Sequence, residues 1–439
     1  MTKIYSTSKQ VVAIAAIILA AFAFSACRTT GPTREGAVDE VTIFSDGSGH
    51  KLQVNGKDFF VKGMNWDYYP PGTNYAYSLW AQSDSFIKKA LKYEMSLLRE
   101  LGVNTIRQYV DIPPRWVKYI YEEYGIYTIL NHPFARYGFE YDGQWHENVD
   151  YTSLQLKVDL LAEIDAMVDE YQETPGILMW LLGNENNYGL AWGSSATHDI
   201  PDETQTEFDQ AKALYALMND AIVLIHEKDE LRPVAMANGD VQFVDLVASQ
   251  IPDLDIFGTN VYRGESFGDL FEVVKTELGI PVLFTEFGAD AYDALKAQED
   301  QNLQVKYLLS NWEEIYKETY NNGSNGNALG GCTFQFSDGW WKTDLDSNLD
   351  IHDTRASWRN GGYSEDYHPG LNNMNEEWFG ICAKGPVDPD GHYALYPRNA
   401  YSALREVHAL DPYFSNVDQP GISFYFSMIR ESQQLMTRL

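Results

Sequence analysis

Between Gly176 and Asn187 the chain reads GILMWLLGNENN. Every residue from Ile177 to Leu182 is large and apolar, with no polar position alternating among them. Such a short run suits a strand covered on both faces, as in a parallel sheet flanked by helices. The polarity then reverses at Asn184, and Glu185 sits among three amides. An unpaired carboxylate at the end of a buried strand costs on the order of several kcal/mol or shifts its pKa. Its presence there calls for a chemical reason.

Seven further segments share this character: FFVKGMN (59–65), VNTIRQY (103–109), IYTILNHP (126–133), RPVAMAN (232–238), DIFGTNVY (255–262), PVLFTEFG (281–288) and GGCTFQF (330–336). Helical patterns or long loops separate them, one opening at the cap pair Ser83-Asp84 and stopping at Gly102. Eight buried strands with right-handed helical crossovers are expected to close into a single (β/α)8 barrel, an α/β fold of the TIM type. An open doubly wound sheet is the alternative, but no Gly-rich phosphate turn follows the first strand. The segments VTIFSD and HKLQVNGKDFFVKG predict a short N-terminal β-hairpin turning at Gly47–Gly49, and a long aromatic loop follows strand eight. The expected boundaries are a barrel with its hairpin over 40–411 and a C-terminal extension over 412–439.

Residues 1–27 read as a signal peptide. Lys3 and Lys9 precede the apolar run Val11–Phe24, and Phe24-Ser25-Ala26-Cys27 resembles a bacterial lipobox. Cys27 is the expected lipidation site, residues 28–39 the tether, and an exported, membrane-anchored lipoprotein the result. An ordinary signal peptide with an incidental Cys is the alternative. Cys332 and Cys382 are too few for a disulfide framework, and Cys332 reads as a buried thiol.

Barrel enzymes place their reacting groups where strands end. Glu185 ends the fourth strand and Glu286 the seventh. An Asn-Glu pair in the first position and a Thr-Glu-Phe-Gly context in the second resemble the retaining β-glycosidases of glycoside hydrolase clan A. FFVKGMN…LLRELGVNTIRQY and NEEWFGICAKG…YPRNAYSAL are similar to the opening and end of the family-2 catalytic barrel, and the first also to the family-72 glucanosyltransferases. The resemblance implies Glu185 as acid/base and Glu286 as nucleophile. It also implies Arg107 and Tyr262 as partners of the nucleophile, Asn184 as a contact of the sugar 2-hydroxyl, His132 as a substrate-binding residue, and Trp340 or Trp341 as the floor of the cleaved-sugar site. Over this stretch of sequence, the large β-domains that surround family-2 β-galactosidases are not expected.

The chain carries 11 Trp, 29 Tyr and 21 Phe. Those in the loops after strands one, four and eight, among them Trp66, Tyr68, Tyr69, Tyr75, Tyr77 and Trp80, sit among Pro, Gly and Asn. That placement suits stacking on sugar rings. A formal net charge of −31 argues against nucleic acid and other polyanions. The number of loop aromatics favours an oligo- or polysaccharide, and a neutral, glucan-type β-linked one is the expected partner. No cofactor or metal is expected: the run Asp344–Asp350 echoes a calcium loop but has Leu349 where such loops need Gly and Arg355 where they need Glu. A transglycosylase using the same two acids, and a surface lipoprotein that binds carbohydrate without catalysis, are the competing functions.

Overall fold

The computed structural model describes residues 38–109, 112–192, 205–415 and 417–436. The leader, Cys27 and nearly all of the tether lie outside the described residues. Eight parallel strands form a closed barrel, in the order Val61–Asn65, Thr105–Gln108, Tyr127–His132, Ile177–Leu182, Val234–Gly239, Ile256–Asn260, Val282–Phe287 and Ala328–Thr333, the last pairing with the first. Each expected strand is present.

Alternation along the strands separates two apolar layers. Ile129, Leu181, Ala235, Ala237, Leu283 and Leu329 fill one cluster inside the barrel. Leu130, Trp180, Leu182, Met236, Phe257 and Phe284 belong to a larger one that packs against helix residues such as Ile87, Leu91, Leu160 and Leu308. The N-terminal segment is a three-stranded antiparallel sheet rather than a plain hairpin, Val41–Asp46, Gly49–Val54 and Lys57–Phe59. Its Val41, Leu52 and Val54 join the interior cluster and so close the barrel at the end opposite the site. Cys332 and Cys382 are free, buried thiols.

Two irregularities matter for the site. Along the seventh strand, Thr259 pairs with Phe284 while Asn260 pairs with Glu286, so Thr285 is an extra residue and the register shifts. The neighbouring eighth strand repeats the mismatch, Phe284 opposite Gly331 and Phe287 opposite Thr333. Strict alternation from the outward-facing Phe284 would send Glu286 outward as well; the bulge turns it in. The helix Gln419–Met436 is the second irregularity. The segment expected as an appended extension packs onto the barrel, with Ile422 and Phe426 buried, Phe426 against Tyr316, and Arg430 ion-paired to Glu313 at 2.6 Å.

The seam between first and eighth strands is tight. A Cβ on Gly63 would lie 2.4 Å from Cys332 Sγ and 2.7 Å from the Gly331 carbonyl oxygen. Gly63→Ala is expected to destabilise the fold by about 1–3 kcal/mol, read as a lower midpoint in chemical denaturation; an unchanged midpoint would contradict this close approach.

Candidate active site

The stretch Gly183–Asn187 explains its own composition. Gly183 takes a left-handed φ of 81° and Glu185 one of 56°, an arrangement costing of order 1–3 kcal/mol at a residue other than glycine. The surrounding amides hold it. Asn186 Oδ1 accepts from the Asn184 N–H at 2.8 Å, while its Nδ2 donates to the Phe134 carbonyl at 2.8 Å and to Tyr151 Oη at 2.9 Å. Asn187 clamps Gly239 from both sides, accepting from its N–H at 2.7 Å and donating to its carbonyl at 2.9 Å. Two amides therefore tie the loop to its neighbours, leaving Asn184 and Glu185 to face the barrel mouth.

Arg107 is the hub of that mouth. Its side chain is 0% exposed and donates to Glu286 Oε1 at 2.9 Å, to Asn184 Oδ1 at 2.7 Å and to Asn131 Oδ1 at 2.9 and 3.1 Å. It reaches Asn260 Oδ1 and the Thr285 carbonyl as well, at 3.2 and 3.1 Å. Glu286 is further held by the Tyr262 hydroxyl, 2.9 Å from Oε2, and the Tyr109 hydroxyl, 2.6 Å from Oε1. Glu185 has a poorer setting, with one amide from Asn260 at 3.1 Å. Asn260 also touches Arg107, so a continuous path links Glu185 to Glu286 through Asn260 and Arg107. Burial, reinforced by the charge of Glu286, pushes the Glu185 carboxyl well above the usual carboxylate range.

Glu185, Glu286, Arg107, Asn184 and Tyr262 thus come together. Asn184 spends its oxygen on Arg107 and Asn260 and donates to Tyr137 Oη at 2.7 Å. His132 does not join them. Its Nε2 faces Glu163 on the outer helix at 3.1 Å, and its Nδ1 lies 3.1 Å from the Phe134 N–H. It shares the outward parity of Leu130, whereas Asn131 shares the inward parity of Ile129 and is the third-strand residue at the site. Asn131, Asn65, Tyr109 and Asn260 were not singled out from the sequence. Strand parity, continued from the interior residues Val61, Ile129 and Ile256, finds Asn65, Asn131 and Asn260.

Trp66 is 1% exposed, and its indole N–H donates to buried Glu94 at 2.6 Å. Burial pushes that carboxyl up to about 7. With Tyr68, Tyr69, Tyr75, Tyr77 and Trp80, Trp66 lines a cavity of about 210 Å³ beside Gln108. Trp341 packs edge-on against Tyr69 and Tyr75, while Trp340 stacks on His352, which stacks on Trp378. The aromatic ring at the end of strand eight next to Tyr262 is that of Phe334, with centroids 6.3 Å apart. In the run echoing a calcium loop, Asp344 is ion-paired to Arg355. Among the described residues no three His, Cys, Asp or Glu side chains converge as a metal site.

Residues 48–316 match the model of the glycosyl hydrolases family 2 TIM barrel domain, well over half of the chain. The chain belongs to that family. A curated relative of the family-2 barrel described here is the β-galactosidase of Lactococcus lactis subsp. lactis (strain IL1403), 24% identical over 140 residues, which are 32% of this chain and 12% of that protein. Among solved structures, the family-2 β-galacturonidase from Eisenbergiella tayi bound to galacturonate superposes with a TM-score of 0.52 at 17% identity, covering 86% of this chain and 55% of that one. The Bacteroides uniformis β-glucuronidase does so with a TM-score of 0.54 at 16% identity, covering 84% and 37%. At these identities the structures share the fold, and the chain spans about half or less of their length.

Asn131→Ala is expected to lower kcat/KM on an aryl β-glycoside by up to about 10²-fold by loosening Arg107. His132→Leu should cost about 1 kcal/mol of stability while sparing turnover. The reverse ranking would place His132, not Asn131, at the site.

Proposed function

We propose that the barrel hydrolyses β-linked glycosidic bonds with retention, by double displacement. The observation that carries this reading is the contrast between the two carboxyls: Glu286 receives a guanidinium and two phenols, Glu185 one amide in a desolvated setting. Paired acids pushed apart by their surroundings divide into a proton donor and an anion.

In the first step Glu286 attacks the anomeric carbon while Glu185 gives its proton to the glycosidic oxygen, and the carbon–oxygen bond to the leaving group breaks. The ester that forms removes the charge of Glu286. Its repulsion of Glu185 vanishes, and the Glu185 carboxyl falls toward its ordinary range. Glu185 then takes a proton from water as the water oxygen attacks the anomeric carbon and frees Glu286. A sugar hydroxyl in place of water makes the same site a transglycosylase, and product sizing separates the two. A binding protein without catalysis has no use for the contrast between the acids. Net charge describes the surface rather than the pocket and does not choose between neutral and acidic sugars.

A 2-fluoro-β-glycoside inactivator is expected to label Glu286, and absence of label under saturating conditions would remove the enzyme reading. Glu185→Gln should lose turnover on substrates with poor leaving groups and regain it with azide on activated ones. Because its pKa is raised, Glu185 stays protonated through neutral pH, so wild-type kcat/KM falls on the alkaline side as that proton leaves. The Gln variant should lack this alkaline limb.

We further propose that Cys27 is lipidated after export and anchors the barrel to a bacterial membrane, on the strength of the Phe24–Cys27 sequence. Cys27→Ser should move the protein from the membrane to the soluble fraction; unchanged fractionation would refute the anchor.

A further inference from the structure

The chain is strongly acidic, and its cations are few. Most of the described ones are committed: Arg263 to Asp240, Arg398 to Asp338 and Arg232 to Asp229 at 2.6–2.7 Å. The half-buried Lys62 and the buried Lys384 donate to backbone carbonyls. Two partly buried cations differ. The charged ends of Lys342 and Arg136 have no hydrogen-bond acceptor among the described residues. Lys342 lies over Phe334, which packs beside Tyr262, and Arg136 lies by Tyr137, whose hydroxyl meets Asn184, so both stand at the barrel mouth.

Lys342 follows strand eight. Its Nζ lies 4.6 Å from the ring centroid of Trp341 and 5.4 Å from that of Phe334. The carboxylates that act on it, Glu376, Glu286 and Asp67, do so without an ion pair. Arg136 follows strand three, directly after Phe134 and Ala135, whose left-handed φ of 53° and 61° cost free energy and turn the chain there. Its Nε is buried without a partner and its guanidinium carbon lies 5.5 Å from the Tyr137 ring centroid. Tyr137 joins the two sides. Its hydroxyl accepts from Asn184, next to Glu185, and it feels the charge of both Arg136 and Lys342.

A partly buried cation whose N–H donors meet no acceptor is under-satisfied in the resting protein, even with carboxylates nearby, and gains when a ligand brings an anion within hydrogen-bond reach. We propose that Lys342 and Arg136 bind an anionic substituent, carboxylate or sulfate, on the sugars flanking the scissile bond, so that the substrate is an acidic β-glycoside. This rests on the glycosidase reading above and replaces the neutral, glucan-type substrate expected from the sequence. Local cations outweigh the repulsion of a distant acidic surface, because that repulsion is screened beyond about 10 Å at ordinary ionic strength.

The test compares matched aryl glycosides: β-glucoside with β-glucuronide, β-galactoside with β-galacturonide, and β-galactoside with its 6-sulfate. The charged member of at least one pair is expected to be favoured about 10–100-fold in kcat/KM. That preference should collapse in Lys342→Met and be largely kept in Lys342→Arg, with melting temperatures confirming that both fold. Preference for uronides identifies a carboxylate, preference for the sulfate ester a sulfate. Equal or better turnover of every neutral member, or a preference that survives Lys342→Met combined with Arg136→Met, would overturn the proposal. If no glycoside of any charge is turned over, the glycosidase reading falls by itself. Calorimetry of glucuronate, galacturonate and galactose 6-sulfate against glucose and galactose then decides the anion site: charged-sugar binding that needs Lys342 upholds it, and no discrimination overturns it.

Discussion

The buried guanidinium of Arg107 is the interaction on which the mouth of the barrel depends. A charge taken wholly out of water is tolerable only when its donors are satisfied and a counter-charge lies close. Arg107 meets both demands with residues from several strands: Glu286 of the seventh, Asn260 of the sixth, Asn131 of the third and Asn184 beyond the fourth. Because its fork is rigid, those partners are fixed relative to one another. The same contacts that stabilise the ion therefore orient the Glu286 carboxyl.

A second consequence is asymmetry between the two acids. Donors crowd around Glu286, and few reach Glu185, although Asn260 connects them. The fourth-strand loop sustains this by spending Asn186 and Asn187 on backbone anchors. A strained left-handed Glu185 is held by neighbours whose own side chains bond to the backbone of adjoining segments. Rigidity of the support, rather than number of polar contacts to the acid, keeps the carboxyl in place while leaving it under-solvated.

Net charge and pocket charge tell different stories here. Acidic residues outnumber basic ones, yet beside the ion-paired Arg107 two cations at the mouth, Lys342 and Arg136, have no ion pair among the described residues. Aromatic planes around them, Trp341 and Phe334 on one side and Tyr137 on the other, supply faces suited to sugar C–H surfaces as well as to cations.

The strands and their order were legible in the sequence, because burial on both faces demands continuous apolar runs and a barrel of this kind needs eight of them. The strand-end glutamates were legible too, since a carboxylate after such a run has few structural uses. Parity errors account for His132: it lies on the outward face of its strand, and Asn131 takes the inward place. Tertiary structure alone decided the rest. The extra residue at Thr285 aims Glu286 inward only through its register with the sixth and eighth strands. Trp66 turns to Glu94, and Trp340 to His352, through contacts far apart in the chain. Local periodicity records which residues are buried; which buried residues meet depends on how the barrel closes, and closure is a property of all eight strands together.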